Sequence, residues 1–443
     1  MTRRRIIVID DDPTGSQTVH GCLLLTRWDD DTLDAALRDD APLFFILSNT
    51  RAMAAAEAAR VTRAIAVALQ QALARAKASG EALTSLVVSR SDSTLRGHYP
   101  IETDVISEVL GPFDALFLVP AFFEGGRITR AGTHYLRQDG ELVPVHLTEF
   151  ARDSVFAFHH SYLPDYVEEK TDGRIPAAAV QRLSRENLRA EDLPARLRTL
   201  AGNVCVVVDA EEPEDLAMFA RAVRTAADAG KRFLFRSAAS LLTALADLPP
   251  QPVAAEAMGR YRRGDGPGVI LVGSHVRKSS EQLEWLLQEP GVVGIEIAVD
   301  RTQGGERADY LEACRGRIHA VVAQGMDPVI FTSREERRFA DRQERLAFGA
   351  EVSAFLMELV QTLPENIGFL ISKGGITSND TLSCGLGLAT ARVVGQILPG
   401  CSVLLCPDDH PRYPRLPVVI FPGNVGDAQS LVQARRRLRG GSS

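Results

Sequence analysis

Arg5-Ile6-Ile7-Val8-Ile9-Asp10-Asp11-Asp12-Pro13-Thr14-Gly15 passes without a break from a run of β-branched residues into three carboxylates and a turn. The run Arg5 to Ile9 is apolar on consecutive positions, so both faces are covered, as in a strand of a parallel sheet. Leu43 to Leu47, Leu83 to Ser89 and Ala115 to Val119 repeat the pattern. Between the second and third lies Ala52 to Ser79, rich in Ala, Arg and Gln and closed by Gly80, which reads as a helix with a glycine stop. Strand, helix, strand in repetition implies parallel strands joined by crossovers, hence an α/β fold with helices on both faces of the sheet.

Val204 to Val208 and Phe233 to Phe235 add strands, with a helix from about Glu214 to Asp228 between them. Leu248 to Pro252 and the glycine-bearing Arg263 to Gly268 then bracket a connector. A second αβ series follows: Val269 to Val272, Val292 to Ile297, Val329 to Thr332, Phe369 to Ile371, Val403 to Cys406 and Val418 to Phe421. The boundary falls near 250 to 268, giving domains 1–250 and 251–443. Each is expected to be a mostly parallel sheet flanked by helices, two domains being what 443 residues require.

A net charge of -7 argues against a nucleic-acid surface, which needs a clustered basic face. The basic runs Arg3 to Arg5 and Arg435 to Arg437 read as solvated flanks. Six scattered cysteines without a Cys-x-x-Cys pair read as buried free thiols in a reducing cytosol. No apolar stretch is long enough to span a membrane, and no cleavable leader precedes the first strand, so a cytoplasmic protein is expected.

In open α/β sheets ligands bind beyond the carboxyl ends of the strands, so those exits locate the chemistry. Asp10, Asp11 and Asp12 repel one another and need a metal ion, basic neighbours or a hydroxyl requiring a base; a plain polar turn is the blander reading. The third strand runs into Ser89-Arg90-Ser91-Asp92-Ser93-Thr94-Leu95-Arg96-Gly97. Guanidinium forks suit a carboxylate and hydroxyls read other hydroxyls, so this loop suits a carboxylated polyol. Ser48-Asn49-Thr50-Arg51 and Pro120-Ala121-Phe122-Phe123-Glu124-Gly125-Gly126-Arg127 are further polar exits. Four such exits together favour a site over four separate turns.

The second half has Gly273-Ser274-His275, Ser372-Lys373-Gly374-Gly375-Ile376-Thr377-Ser378-Asn379 and Pro422-Gly423-Asn424 after strands. Glycines at a strand-to-helix turn let backbone N–H groups approach an anion, and the helix N-terminus favours negative charge. Gly273 to Ser279 is not a Walker loop, since Arg277 stands where the second glycine belongs, and there is no dinucleotide fingerprint after the first strand. No histidine or cysteine spacing supports a metal site.

Asp11-Asp12-Pro13-Thr14-Gly15, the Ser89 to Gly97 loop, Gly374-Gly375-Ile376-Thr377-Ser378 and Phe421-Pro422-Gly423-Asn424, in this order over nearly the whole chain, resemble the four-carbon acid sugar kinase family. The resemblance implies a two-domain ATP-dependent kinase with its active site in the cleft between the domains. It would transfer phosphate to the terminal C4 hydroxyl of a threonate, erythronate or 3-oxo-tetronate. It further implies that Ser274, Gly374, Gly375, Ile376, Thr377, Gly423 and Asn424 touch ATP, and that the aspartates and Arg90, Ser91, Asp92, Ser93, Arg96 and Arg127 face the acid sugar. Asp12, with Asp11 as second candidate, would accept the hydroxyl proton, the other helping to hold Mg²⁺ or to orient the hydroxyl. Lys373 would neutralise phosphate charge or simply be solvated. Asp10-Asp11-Asp12-Pro13-Thr14-Gly15 stands where many members carry Ala-Asp-Asp-Phe-Thr-Gly, and Phe123-Glu124-Gly125-Gly126-Arg127 where many carry Pro-Glu-Asn-Gly-Arg. Both changes lie in the acid-sugar half and leave the substrate open. Expected partners are an acid sugar and ATP, without nucleic acid or membrane; a homodimer is the assembly considered. A nicotinamide-dependent hydroxy-acid oxidoreductase and a non-catalytic nucleotide-binding module are the alternative readings.

Overall fold

The computed structural model describes residues 3–138, 140–334 and 342–440. The chain divides into two compact units, Met1–Pro250 and Gln251–Ser443. Among the described residues no helix is long and apolar enough to cross a membrane.

The first unit contains strands β1 (Arg3–Asp10), β2 (Cys22–Leu25), β3 (Leu43–Leu47), β4 (Leu83–Arg90), β5 (Ala115–Val119), β6 (Arg127–Arg130), β7 (Thr133–Gln138), β8 (Glu141–Pro144), β9 (Gln181–Leu183), β10 (Val204–Val208) and β11 (Phe233–Ser237). Eight of them form a wholly parallel sheet in the order β2-β3-β1-β4-β11-β5-β10-β9. The central strands are buried on both faces, which is why their sequences are continuously apolar rather than alternating. β6, β7 and β8 make a separate antiparallel sheet that the sequence did not announce, its strands being short and half polar.

The helix expected from Ala52 begins at Ala55 and ends at Ala78. Its buried stripe, Ala58, Val61, Thr62, Ile65, Ala66, Leu69, Ala72 and Ala76, follows the three-and-four spacing of one helical face. The residues before it, Thr50–Ala52, form a 3₁₀ turn instead, and the Arg51 amide donates to the Asp11 carbonyl oxygen at 3.3 Å. That turn brings Arg51 back over the end of β1.

The second unit contains β12 (Gly268–Val272), β13 (Val292–Ile297), β14 (Asp327–Thr332), β15 (Phe369–Lys373), β16 (Thr390–Leu398), β17 (Cys401–Leu405) and β18 (Pro417–Phe421). Their order is β13-β14-β12-β15-β18-β17-β16. The first five are parallel, whereas β17 runs antiparallel to both of its neighbours.

The basic flanks are only partly solvated: Arg436 is exposed, whereas Arg5 and Arg435 are buried. Arg5 is 1% exposed and donates through Nε to the Leu37 carbonyl oxygen at 3.0 Å. Arg435 is buried, with its Nε 2.6 Å from Asp327 Oδ2. A charge tolerates this only with partners that satisfy it, and these partners come from distant segments that composition does not reveal. Five of the six cysteines are buried and Cys384 is exposed.

Candidate functional site

In the first unit the chain leaves β1 towards β2 and β3 on one side, and leaves β4 towards β5 on the other. The switch in direction opens a crevice at the carboxyl ends of β1 and β4, where a doubly wound sheet binds its ligand. Register pairs Asp10 with Arg90 across these two strand ends.

The three carboxylates there have separate environments. Asp10 is completely buried, and Arg90 Nη1 donates to its Oδ1 at 3.2 Å. Its Oδ2 has no hydrogen-bond partner, and burial pushes its pKa up to about 7. The backbone of Gly15 packs so closely that a Cβ there would lie 1.9 Å from Asp10 Oδ2. Asp11 is clamped: Arg51 approaches both of its oxygens, with Nε at 3.1 Å from Oδ2, and Ser91 Oγ donates to Oδ2 at 3.0 Å. Asp12 is the accessible one, its side chain 18% exposed. Its Oδ1 accepts from the Thr14 amide at 2.8 Å and Arg51 Nη1 stands 3.4 Å from its Oδ2. Burial works against its charge, but the Arg51 and Arg90 guanidiniums and the Thr14 bonds outweigh it and hold this carboxyl below the usual range.

The loop after β4 wraps around this cluster. Arg96 Nε donates to Asp92 Oδ2 at 2.7 Å, its Nη1 lies 3.6 Å from Asp153, and its guanidinium sits 5.0 Å from the centre of the Phe150 ring. Ser93 is buried, and its carbonyl oxygen lies 2.7 Å from His134 Nε2, whose pKa burial lowers to about 4. Gly97, at φ +120°, is needed for space: a Cβ would come within 2.6 Å of Ser91 Oγ and 2.8 Å of Arg236 Nη2. Arg236, on β11, donates to Glu102 and, at 2.7 Å, to Ser89 Oγ. A small recess lined by Ser91, Asp92, Arg96, Arg236 and Ser237 opens beside these groups.

Arg127, the first residue of β6, differs from the other arginines here. Its Nε is buried without a hydrogen-bond partner, and among the described residues no carboxylate lies within ion-pair distance. Its guanidinium carbon is 5.9 Å from the centre of the Phe122 ring, and burial lowers its pKa.

In the second unit the connection from β12 to β13 goes one way and the connection onward from β15 goes the other, so the switch lies between β12 and β15. The three glycine loops meet there. A Cβ on Gly273 would lie 2.1 Å from Thr377 Oγ1, one on Gly374 3.2 Å from the Ser274 Cβ, and one on Gly423 2.8 Å from Ser274 Oγ. Ser279 Oγ donates to Ser274 Oγ and to the Gly423 carbonyl oxygen, both at 3.0 Å. Gly374 adopts φ +118° and its amide donates to the Phe421 carbonyl oxygen at 2.9 Å. Ile376 and Asn424 are exposed beside this junction, and Gly375 and Thr377 are half-buried. Lys373 is not solvated. It is fully buried beneath the junction, its Nζ donating to the Pro422 carbonyl oxygen at 3.0 Å and lying 4.2 Å from the centre of the Phe421 ring. Burial lowers its pKa to about 7.

Family models match both units in turn. A sugar-binding N-terminal domain spans residues 6–245 and a nucleotide-binding C-terminal domain spans residues 269–431. The chain belongs to the four-carbon acid sugar kinase family. It is 30% identical over 227 residues to a D-erythronate kinase of Heliobacterium modesticaldum, covering 49% of this chain and 47% of that protein. It is 30% identical over 192 residues to a D-threonate kinase of Bordetella bronchiseptica, covering 43% and 40%. The chain thus spans less than half the length of each of these relatives in the matched regions. The crystal structure of a Salmonella typhimurium LT2 protein matches with a TM-score of 0.69 at 19% identity, covering 98% of this chain and 99% of that one. A Haemophilus influenzae protein matches with a TM-score of 0.65 at 17% identity, covering 98% and 100%. Both are likenesses of fold.

The structure gathers Asp11, Asp12, Arg90, Ser91, Asp92 and Arg96 at one crevice, but Arg90 faces the carboxylates of its own chain. Arg51, Glu102 and Arg236 belong to the same network and carried no role in the sequence reading. Arg51 stood in a strand exit already marked as polar; Arg236 lies inside an apolar strand and Glu102 in a helix, and neither position had a signal.

Proposed function

We propose that the chain is an ATP-dependent kinase that phosphorylates the C4 hydroxyl of a four-carbon acid sugar, the first unit binding the acid sugar and the second binding ATP. The observation that carries this reading is Asp12: of three adjacent carboxylates it is the one both accessible and held ionised, as a base that accepts a hydroxyl proton must be. Asp10 is buried with a raised pKa and Asp11 is clamped by Arg51 and Ser91. Arg51 orients the base and keeps it charged. Arg127, lacking an acidic partner among the described residues, is the guanidinium suited to the substrate carboxylate, while Arg96, at the edge of the recess, is paired with Asp92. Arg90 instead neutralises Asp10. The kinase names of two relatives support the same reading.

Among the described residues no group of three or more His, Cys, Asp or Glu could hold a metal ion. Mg²⁺ in such enzymes keeps several waters and takes phosphate oxygens with one or two carboxylates, so these residues fit an ion carried on the nucleotide. When bound, that ion would neutralise charge on the transferred phosphoryl group. The glycine loops of the second unit leave room for a phosphate chain to approach the backbone, the Gly273 and Gly374 amides themselves being held by the Lys373 and Phe421 carbonyl oxygens.

The test is ADP release with ATP and Mg²⁺ on a panel of D- and L-threonate, D- and L-erythronate and the 3-oxo-tetronates. Turnover of one member names the substrate. A silent panel together with no ATP binding removes the kinase reading.

A further inference from the structure

β14 lies beside β12 in the sheet of the second unit, so its exit opens on the edge of the same glycine-loop junction. Arg334, two residues beyond that strand, reaches into it. Its Nη1 donates to the Ser274 carbonyl oxygen at 2.8 Å and its Nη2 to Ser280 Oγ at 2.5 Å. Ser274 is the residue against which both Gly374 and Gly423 pack. Arg334 therefore hangs at the point where all three loops converge.

Its bonding is incomplete. Both acceptors are neutral, its Nε is buried with no partner, and among the described residues no carboxylate is within ion-pair distance. Arg307, Arg435 and Arg439 of this unit rest on carboxylates, while the half-buried Arg262 and Arg263 meet backbone carbonyl oxygens near the amino ends of β12 and β15, away from the loop junction. The surroundings add positive charge rather than removing it. Lys278 stands in the first turn of the helix Arg277–Leu287, and Lys373 lies under the junction; both Lys278 and Arg334 act to lower the Lys373 pKa, after burial. A half-buried guanidinium without a carboxylate partner among the described residues is unfavourable unless an anion completes it. The vacant donor capacity of Arg334, the close backbone approach of the three glycine loops and the neighbouring Lys278 all point to one ligand chemistry, a polyphosphate.

We propose that Arg334 contacts the phosphate chain of the nucleotide and makes the second unit discriminate by phosphate number, favouring the triphosphate over the diphosphate. This rests on the nucleotide-binding reading of that unit. A guanidinium held by neutral acceptors keeps its full charge for a ligand, and its fork suits two phosphate oxygens at once. Arg334 would be a binding residue and Lys373 a positioning one, acting through its hold on Pro422.

The experiment is isothermal titration of the full chain with ATP, ADP and adenosine, each at low and at moderate salt. The wild type is expected to bind ATP more tightly than ADP. Arg334→Met should weaken ATP by about 10- to 100-fold, the loss expected of one charge-assisted contact. It should weaken ADP less, leave adenosine unchanged and flatten the salt dependence. Arg334→Lys, which keeps the charge without the fork, should restore part of the ATP affinity and serves also if the Met variant fails to fold. Equal loss of all three ligands in both variants would make Arg334 a strut for the Ser274 turn and overturn the proposal. So would an unchanged ATP-to-ADP ratio. If the wild type itself binds none of the three, the nucleotide reading of the unit fails first.

Discussion

Replacing Gly97 by alanine gives a sharp test of how tightly the first-unit crevice is built, because an internal control exists. The added Cβ would sit 2.6 Å from Ser91 Oγ, 2.8 Å from Arg236 Nη2 and 3.1 Å from Asp11 Oδ2, at φ +120°. Gly80, which closes the long helix, has φ +83° and nothing within 4 Å of the same hypothetical atom. Both variants incur backbone strain of about 1–3 kcal/mol, but only Gly97→Ala adds overpacking, about 1–3 kcal/mol more. The expected losses are therefore about 1–3 kcal/mol for Gly80→Ala and about 2–6 kcal/mol for Gly97→Ala, the latter a large part of a typical domain's stability. Urea denaturation followed by far-UV circular dichroism measures both. Gly97→Ala should also lose turnover, since Ser91 and Arg236 must move and Ser91 holds Asp11, whereas Gly80→Ala should keep it. Equal stability losses and equal turnover in the two variants would refute the close packing around Gly97.

Asp12→Asn is expected to lower kcat by about 10²- to 10⁴-fold while ATP affinity, read by calorimetry, stays within a few-fold. Retained kcat would remove Asp12 from the base role. Arg51→Met leaves Asp11 buried and without its main partner, and should cost about 3–5 kcal/mol by urea denaturation; a loss below about 1 kcal/mol would contradict the clamp. Lys373 is lowered from 10.5 to about 7 by burial, so between those pH values the unfolded chain holds a proton that the folded chain lacks, and stability should rise with pH across that window. The penalty, on the order of 5 kcal/mol, is fully present below pH 7 and gone above the unfolded pKa, so Lys373→Met should flatten the pH–stability curve; an unchanged slope would show that Lys373 is charged in the native state.

The parallel α/β character of both units was legible in the chain. Ile6 to Ile9, Leu43 to Leu47 and Phe369 to Ile371 are apolar on successive residues, a pattern that only two-sided burial explains. The strand exits with Asp11, Asp12, Ser91, Asp92 and the three glycine loops were legible for the same reason: polar residues directly after a buried strand stand at the sheet edge where ligands bind. The bounds of Ala55–Ala78 and the antiparallel β6–β8 sheet were less so, because a 3₁₀ turn and short half-polar strands leave no clear periodicity.

Which residue types stand at which strand ends can be read from the chain alone. Division of labour among identical residues belonged to the tertiary structure. Three consecutive aspartates are chemically equal in the chain, yet one is buried against Arg90, one is clamped by Arg51 and one stays partly exposed. Arg90 and Arg127 are likewise both arginines at strand ends, and only packing makes one a counter-ion and leaves the other without an acidic partner among the described residues. Burial and the distance to an opposite charge set ionisation, and both are sums over segments tens or hundreds of residues apart, which no local pattern encodes.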